Sequence, residues 1–263
     1  MHIVDSHCHA SPVWFEPVEV LLFQMERNAV AQAVLTQLLG QFDNTYQQEC
    51  VRRFPGRFAS VVAVDTASSE APRQLRELAA SGAVGVRWRP EARSPGADPY
   101  AIWRTAAECG LVVSCVGTAA NFIAPAFAQL AEALPQLSIV MEHLGGWARP
   151  DCDGTQATRE AIGALARLPN VHMKVPGLGQ LVKRDPRLPP GGRTLSLEPA
   201  EIVLQMLRLF GAERLMWGSD FPPAATREGY ANTLAWTREL LAGVAPQAQQ
   251  QIFGATARKL FRL

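Results

Sequence analysis

Short apolar runs recur along the chain, separated by longer stretches in which apolar positions return every three or four residues. The short runs are His2–Asp5, Ala33–Gln37, Phe58–Asp65, Val84–Trp88, Leu111–Val116, Leu137–His143, Val171–Val175 and Arg214–Ser219. Their pattern predicts eight strands. The intervening stretches Val18–Asn28, Thr45–Phe54, Ala71–Ala80, Tyr100–Cys109, Ala124–Leu134, Thr158–Leu168, Glu201–Phe210 and Tyr230–Leu241 carry helical spacing and predict eight helices. A last segment, Pro246–Leu263, repeats Ile252, Phe253, Ala257, Leu260 and Phe261 at helical intervals and predicts an extra C-terminal helix.

Strands that alternate with helices pair in parallel and need crossover connections. Eight such units in 263 residues predict an α/β fold, a (β/α)₈ TIM barrel forming one domain over residues 1–263. The competing architecture, a doubly wound open sheet, usually shows a Gly-rich turn after its first strand. Here that position holds Asp5-Ser6-His7-Cys8-His9. The Pro/Gly/Arg-rich stretch Arg184–Arg193 follows the seventh strand, on the face where barrels carry active sites. It reads as a surface loop, either a lid or an inert insertion.

Composition narrows the classes. With 48% hydrophobic and 19% charged residues the chain can bury a sizeable core, which excludes intrinsic disorder. A formal charge of +1 without a basic stripe offers no electrostatic footprint for nucleic acid. No apolar run approaches the ~18 residues of a membrane span. Cys8, Cys50, Cys109, Cys115 and Cys152 are odd in number and lack a CxxC spacing, which argues against a disulfide framework or a thiolate zinc site. They read as free thiols in a reducing cytoplasm. All but three of the 25 Lys and Arg residues are arginine, so Lys174, inside an apolar run, stands out.

Chemistry-bearing residues gather at predicted strand tips. Asp5, His7 and His9 follow one another at i, i+2 and i+4, which puts three side chains on one face of an extended segment. The sixth strand ends in His143, ahead of Leu144-Gly145-Gly146, and the eighth delivers Asp220 after Trp217-Gly218-Ser219, where the small Gly218 and Ser219 let its carboxylate approach the histidines of strand one. Singly, each has a bland explanation: a His-x-His pair in an exposed loop, or a satisfied buried histidine. Together, three of five histidines and an aspartate at one barrel mouth suit a divalent ion of borderline softness such as zinc.

Several of these pieces resemble a known family. They are Val4-Asp5-Ser6-His7-Cys8-His9, Gly85-Val86-Arg87-Trp88, Glu142-His143-Leu144-Gly145-Gly146, Asn170-Val171-His172-Met173-Lys174 and Met216-Trp217-Gly218-Ser219-Asp220-Phe221-Pro222, with the closing Ile252–Phe261 segment. The chain resembles the amidohydrolase-related (amidohydrolase 2) group of the amidohydrolase superfamily over essentially its whole length. That resemblance implies a (β/α)₈ barrel with His7, His9, His143 and Asp220 in the metal-site positions. Within the superfamily the chain is most similar to the branch of sugar lactonases and 2-pyrone-4,6-dicarboxylate lactonase, some members of which work without a metal. A related branch performs metal-dependent, non-oxidative decarboxylation of aromatic or muconate-type acids. Gly146-Trp147 and Val175-Pro176-Gly177 depart from the lactonase pattern and leave the substrate open.

Further side chains qualify as substrate contacts. Arg87 and Arg89 share a face of the fourth strand, the interior one if Val86 and Trp88 face the helices. A guanidinium fork suits a substrate carboxylate; the alternative is an internal salt bridge to Asp5, Asp65 or Glu142. Lys174, at the tip of the seventh strand, either binds a carboxylate or polarises a carbonyl, or reaches solvent along its stem. His172 reads as structural or surface. Gly177-Leu178-Gly179 lacks the rest of a phosphate loop, and Gly218-Ser219-Asp220 is not a nucleophile elbow. Cys8 lies on the face opposite His7 and His9. Trp14 and Trp147, after strands one and six, are placed to line the mouth.

These observations predict a cytoplasmic hydrolase that opens a small carboxylated lactone. Asp220 and His143 are the expected catalytic residues, Arg87, Arg89 and Lys174 the substrate-binding ones. Zinc or manganese is expected at His7, His9, His143 and Asp220; in a metal-free version the imidazoles and Arg87 stabilise the oxyanion instead. The rivals are a decarboxylase on the same scaffold and a barrel that only binds ligand. The expected partners are a small molecule and a second copy in a homodimer, with neither nucleic acid nor membrane.

Overall fold

The computed structural model describes residues 1–181 and 200–263; the Arg184–Arg193 segment lies outside them. Among the described residues, the strands are β1 (Ile3–Cys8), β2 (Val30–Thr36), β3 (Phe58–Val62), β4 (Gly85–Trp88), β5 (Val112–Cys115), β6 (Ile139–Met141), β7 (Val171–Val175) and β8 (Leu215–Trp217). The helices are α1 (Val18–Arg27), α2 (Thr45–Arg53), α3 (Ala71–Ala80), α4 (Ala101–Glu108), α5 (Ala119–Ile123), α6 (Pro125–Ala133), α7 (Gln156–Ala164), α8 (Glu201–Phe210), α9 (Tyr230–Leu240), α10 (Pro246–Gln250) and α11 (Thr256–Phe261). The strands lie side by side in chain order, and each pairs with the next in parallel. Past the end of β8, the Asp220 N–H donates to the carbonyl of His7 in β1 at 2.8 Å, and the His9 N–H donates to the Phe221 carbonyl at 2.8 Å. This is the predicted (β/α)₈ barrel.

Two apolar layers follow from the pleat. Inside the barrel, Val4, Val34, Val61, Val112, Val140 and Met216 pack together, with Phe261 and Ala257 of α11 closing the lower end. Outside, alternate residues such as Val86, Trp88, Val113 and Met141 pack against the helices, and Trp88 meets Trp103 of α4 edge-on at 5.1 Å. Burying one such large side chain contributes roughly 1.5–3 kcal/mol. No described helix is long and apolar enough to cross a membrane.

The boundaries differ from the sequence pattern in instructive places. β1 runs on to Cys8, so His7 lies within the strand, whereas β6 stops at Met141 and β8 at Trp217. His143, Leu144 and Asp220 then adopt left-handed backbone, with φ of 50°, 55° and 56°. A helix absent from the pattern, α5, caps itself reciprocally: the Asn121 N–H donates to Thr118 Oγ1, and the Thr118 N–H donates to Asn121 Oδ1. The C-terminal segment is not one regular helix. A π-helical turn at Gln251–Ala255 divides it, where the backbone of Gly254 lies against the His2 carbonyl.

Candidate active site

β1 and β8 bring the first three groups together. At Gly218 a Cβ would stand 2.7 Å from the Cβ of His7, so only glycine lets β8 approach β1 this closely. One turn of left-handed backbone later, Asp220 Oδ1 lies 3.5 Å from both His7 Nε2 and His9 Nε2. His143 completes the group: the His7 ring lies edge-on to His9 at 4.9 Å and to His143 at 5.3 Å. Left-handed φ at a non-glycine residue costs of order 1–3 kcal/mol and concentrates where function over-determines the backbone. His143 and Asp220 both carry it. Asp5, expected on the same face, turns instead to β8. It accepts from the Ser219 N–H at 2.8 Å and the Ser219 hydroxyl at 2.6 Å, and burial pushes its pKa up to about 6.

Hydrogen bonds fix the tautomers. His9 Nδ1 lies 2.6 Å from the Thr36 carbonyl, which can only accept, so Nδ1 carries a proton and donates, and Nε2 faces Asp220. Gln180 does the same for His143 by a longer chain of reasoning. Its amide nitrogen donates to Asp220 Oδ2 at 2.5 Å, because a carboxylate only accepts, and its Oε1 therefore faces His143 Nδ1 at 2.8 Å. Lys174 Nζ donates to His7 Nδ1 at 2.8 Å, so a neutral His7 ring carries its proton on Nε2, which is buried 3.5 Å from Asp220 Oδ1 with no closer partner. Burial holds His143 below the usual imidazole range, and burial and then Lys174 hold His7 well below it, so both are neutral at pH 7. Burial alone would raise the Asp220 carboxyl, but His7 and His9 outweigh it and keep the group ionised.

Three imidazoles around one carboxylate, with the buried His7 Nε2 unpartnered, form a donor set that fits a divalent cation, which would displace the Nε2 proton as it binds. Ligand atoms of His7, His143 and Asp220 all lie within 4.8 Å of one another.

The cations expected to hold substrate are distributed otherwise. Arg87 does point inward, but its fork is filled by Glu142. Nε lies 3.1 and 3.2 Å from the two carboxylate oxygens, Nη2 lies 2.7 Å from Oε2, and Nη1 donates to the Gln37 carbonyl at 2.9 Å. The internal salt bridge is thus realised, with Glu142. Arg89 lies past the end of β4, exposed, beside a groove of about 330 Å³ shared with Phe42, Asp65, Thr66 and Glu91. Lys174 neither reaches solvent nor faces the mouth. Its Nζ is buried beneath the site, 2.8 Å from His7 Nδ1 and 2.9 Å from Ser114 Oγ, and burial lowers its pKa to about 8. Ser114 in turn donates to Glu142 at 2.7 Å. Burial would raise the Glu142 carboxyl, yet Arg87 first, then His7 and Lys174, hold it well below its usual range.

Other positions fall as follows. Trp14 is exposed, and with Phe15, Gln37, Tyr46 and Gln47 lines a pocket of about 160 Å³ beside His9. Trp147 is half-buried under the Arg159 guanidinium. Cys8 packs in the outer layer, as its side of the strand requires. Sequence reasoning missed Gln180 and Arg227. Arg227 places Nη1 and Nη2 at 3.2 and 3.1 Å from Asp220 Oδ2. Nothing in the local sequence marks either.

Known proteins share this arrangement of elements. Over 144 residues the chain is 33% identical to L-fucono-1,5-lactonase of Burkholderia ambifaria, a match covering 53% of this chain and 46% of the relative. The match therefore spans about half the length of that curated relative. A solved structure of a protein assigned as a 2-pyrone-4,6-dicarboxylic acid hydrolase, from Pseudomonas putida, is 25% identical with a TM-score of 0.76, over 99% of this chain and 97% of its own. An amidohydrolase from Burkholderia multivorans, crystallised with zinc, has a TM-score of 0.80 at 19% identity over the full length of both chains, a likeness of fold. The amidohydrolase family (Amidohydro_2) matches residues 4–263, and by that match, which takes in every strand of the barrel from Val4 onward, this chain is a member of the family.

Proposed function

We propose that the chain hydrolyses the ester bond of a small lactone. The observation that carries this is the Asp220 carboxylate, ionised and faced by the Nε2 atoms of two strand-one histidines, at the C-terminal mouth where barrels conduct their chemistry. The lactonase relative and the hydrolase-assigned neighbour support the same reaction class.

His7, His9, His143 and Asp220 would hold a divalent cation, for which zinc is proposed. When bound, such an ion polarises the lactone carbonyl and acidifies the attacking water. Asp220 Oδ1, the oxygen left open by Gln180 and Arg227, takes the proton from that water as it adds to the carbonyl. The same carboxyl returns the proton to the ring oxygen as the carbon–oxygen bond breaks, leaving a hydroxy acid. Gln180 keeps His143 Nε2 directed inward through this cycle. Aromatic and amide side chains of the pocket beside His9 offer a face for the ring of the substrate.

A carboxylated substrate is expected from Arg87, Arg89 and Lys174, but the Arg87 fork is committed to Glu142 and Lys174 Nζ is buried against His7 and Ser114. We therefore rank neutral, hydroxylated lactones first. The test is a pH-stat assay of the purified chain on neutral and carboxylated lactones, before and after removal of metal with a chelator. Opening of a neutral lactone, lost on chelation and restored by zinc, is the expected result. Carbon dioxide release from aromatic acids without lactone opening would replace the proposal by the decarboxylase alternative.

A further inference from the structure

Gly177-Leu178-Gly179 has no phosphate to bind, yet its glycines are occupied. A Cβ on either would take the space of the Glu228 carboxylate, which lies against this turn fully buried. Glu228 Oε2 faces Arg227 Nε at 3.4 Å, and its Oε1 has no hydrogen-bond partner. Arg227 is only about a quarter exposed and points from there to Asp220. Its two terminal nitrogens converge on one oxygen, Oδ2, rather than one on each. A forked contact would have covered Oδ1, the atom that faces His7 and His9.

We propose that Arg227 is a positioning residue for Asp220, braced by Glu228 in the Gly177–Gly179 turn, and that it trades affinity for a divalent cation against a fixed direction of Oδ1. The argument rests on the site described above being the active centre. A side chain behind a ligating histidine accepts its N–H and makes the ligand more basic, whereas a guanidinium behind a ligating carboxylate donates and draws charge the other way. Removing it frees the carboxylate to bind a cation more tightly while losing the aim of Oδ1. Misplacement by about 1 Å is enough to cost roughly 10²-fold in rate.

The experiment measures zinc affinity by chelator competition, and lactone kinetics, for the parent chain, Arg227→Ala, Arg227→Lys and Glu228→Gln. Arg227→Ala should bind zinc about tenfold more tightly, with kcat reduced by roughly 10²-fold and KM within about threefold of the parent. Added guanidinium should restore part of the lost kcat, and Arg227→Lys, which cannot span Asp220 and Glu228 together, should fall between. Glu228→Gln should move both quantities in the same direction, and combining it with Arg227→Ala should add little. Tighter zinc binding with slower turnover is a pattern that general structural damage does not produce. Zinc affinity unchanged or weakened in Arg227→Ala overturns the proposal, as does a kcat within threefold of the parent. If the parent opens no lactone, the function proposed above fails and the zinc measurement alone decides this one.

Discussion

Replacing Arg87 with methionine separates two roles that the sequence could not. Methionine keeps much of the length of the side chain and removes its charge. Glu142, fully buried, would lose the Nε contacts at 3.1 and 3.2 Å and the Nη2 contact at 2.7 Å, and the Gln37 carbonyl would lose its donor at 2.9 Å. The Ser114 hydroxyl at 2.7 Å and Lys174 Nζ at 3.9 Å remain as compensation. Deleting one partner of a buried ion pair typically costs about 3–5 kcal/mol. The surviving partners favour the lower end, about 3 kcal/mol. A protein of this size loses roughly 2–4 °C of Tm per kcal/mol, so a fall of about 10 °C is expected in thermal denaturation at neutral pH. Combining Arg87→Met with Glu142→Gln should cost less than the sum of the single variants. The preference between neutral and carboxylated lactones should not change. A Tm within about 2 °C of the parent, with KM raised about 10²-fold for carboxylated lactones alone, would refute this reasoning and return Arg87 to the role of a substrate clamp.

Other expectations follow from the same contacts. Asp220→Asn should remain folded by circular dichroism while kcat/KM falls roughly 10²–10⁴-fold, and retention of more than about a tenth of the parent value would remove Asp220 from the proton transfers. Gln180→Leu leaves the His143 Nδ1–H without its acceptor and Asp220 Oδ2 without one of its donors. Loss of the fixed His143 ring should outweigh the second effect and weaken zinc binding by about tenfold in chelator competition, and tighter binding would show that Gln180 does not direct His143. His172, beside a cavity of about 400 Å³ at the other end of the barrel, has its pKa lowered to about 4 by burial. Below the ordinary histidine value of about 6.5 the unfolded chain takes up this proton first, so stability is lost as pH falls from about 6.5 to about 4, by roughly 3 kcal/mol. His172→Gln should lack that component, and parallel Tm-against-pH curves for parent and variant would count against it.

The barrel and the convergence of His7, His9, His143 and Asp220 are legible in sequence for the same reason. Eight alternations of period 2 and period 3.6 leave few topologies, and parallel pairing in chain order then puts every strand tip at one mouth. The fate of the charges is not legible in this way. Arg87 and Glu142 lie 55 residues apart, and whether a buried guanidinium meets a carboxylate of the protein or of a substrate depends on which interior layer each occupies. Register decides that: Arg87 pairs with Ser114 and Cys115 with Met141, which sets Glu142 one step above the strands at the height of the Arg87 fork. The ends of β6 and β8 were equally hidden, because the modest enrichment of His and Asp in left-handed backbone is too weak to mark these two positions among the others. Both residues pass into the mouth through that conformation, so the early ends of β6 and β8 fall at the two positions that complete the candidate site. Gln180 and Arg227 belong to loops that meet across the β7–β8 edge, and a contact between loops leaves no periodic trace. The residues that meet at the candidate site can thus be read from sequence, whereas those that orient them are set by which loops the closed barrel brings face to face.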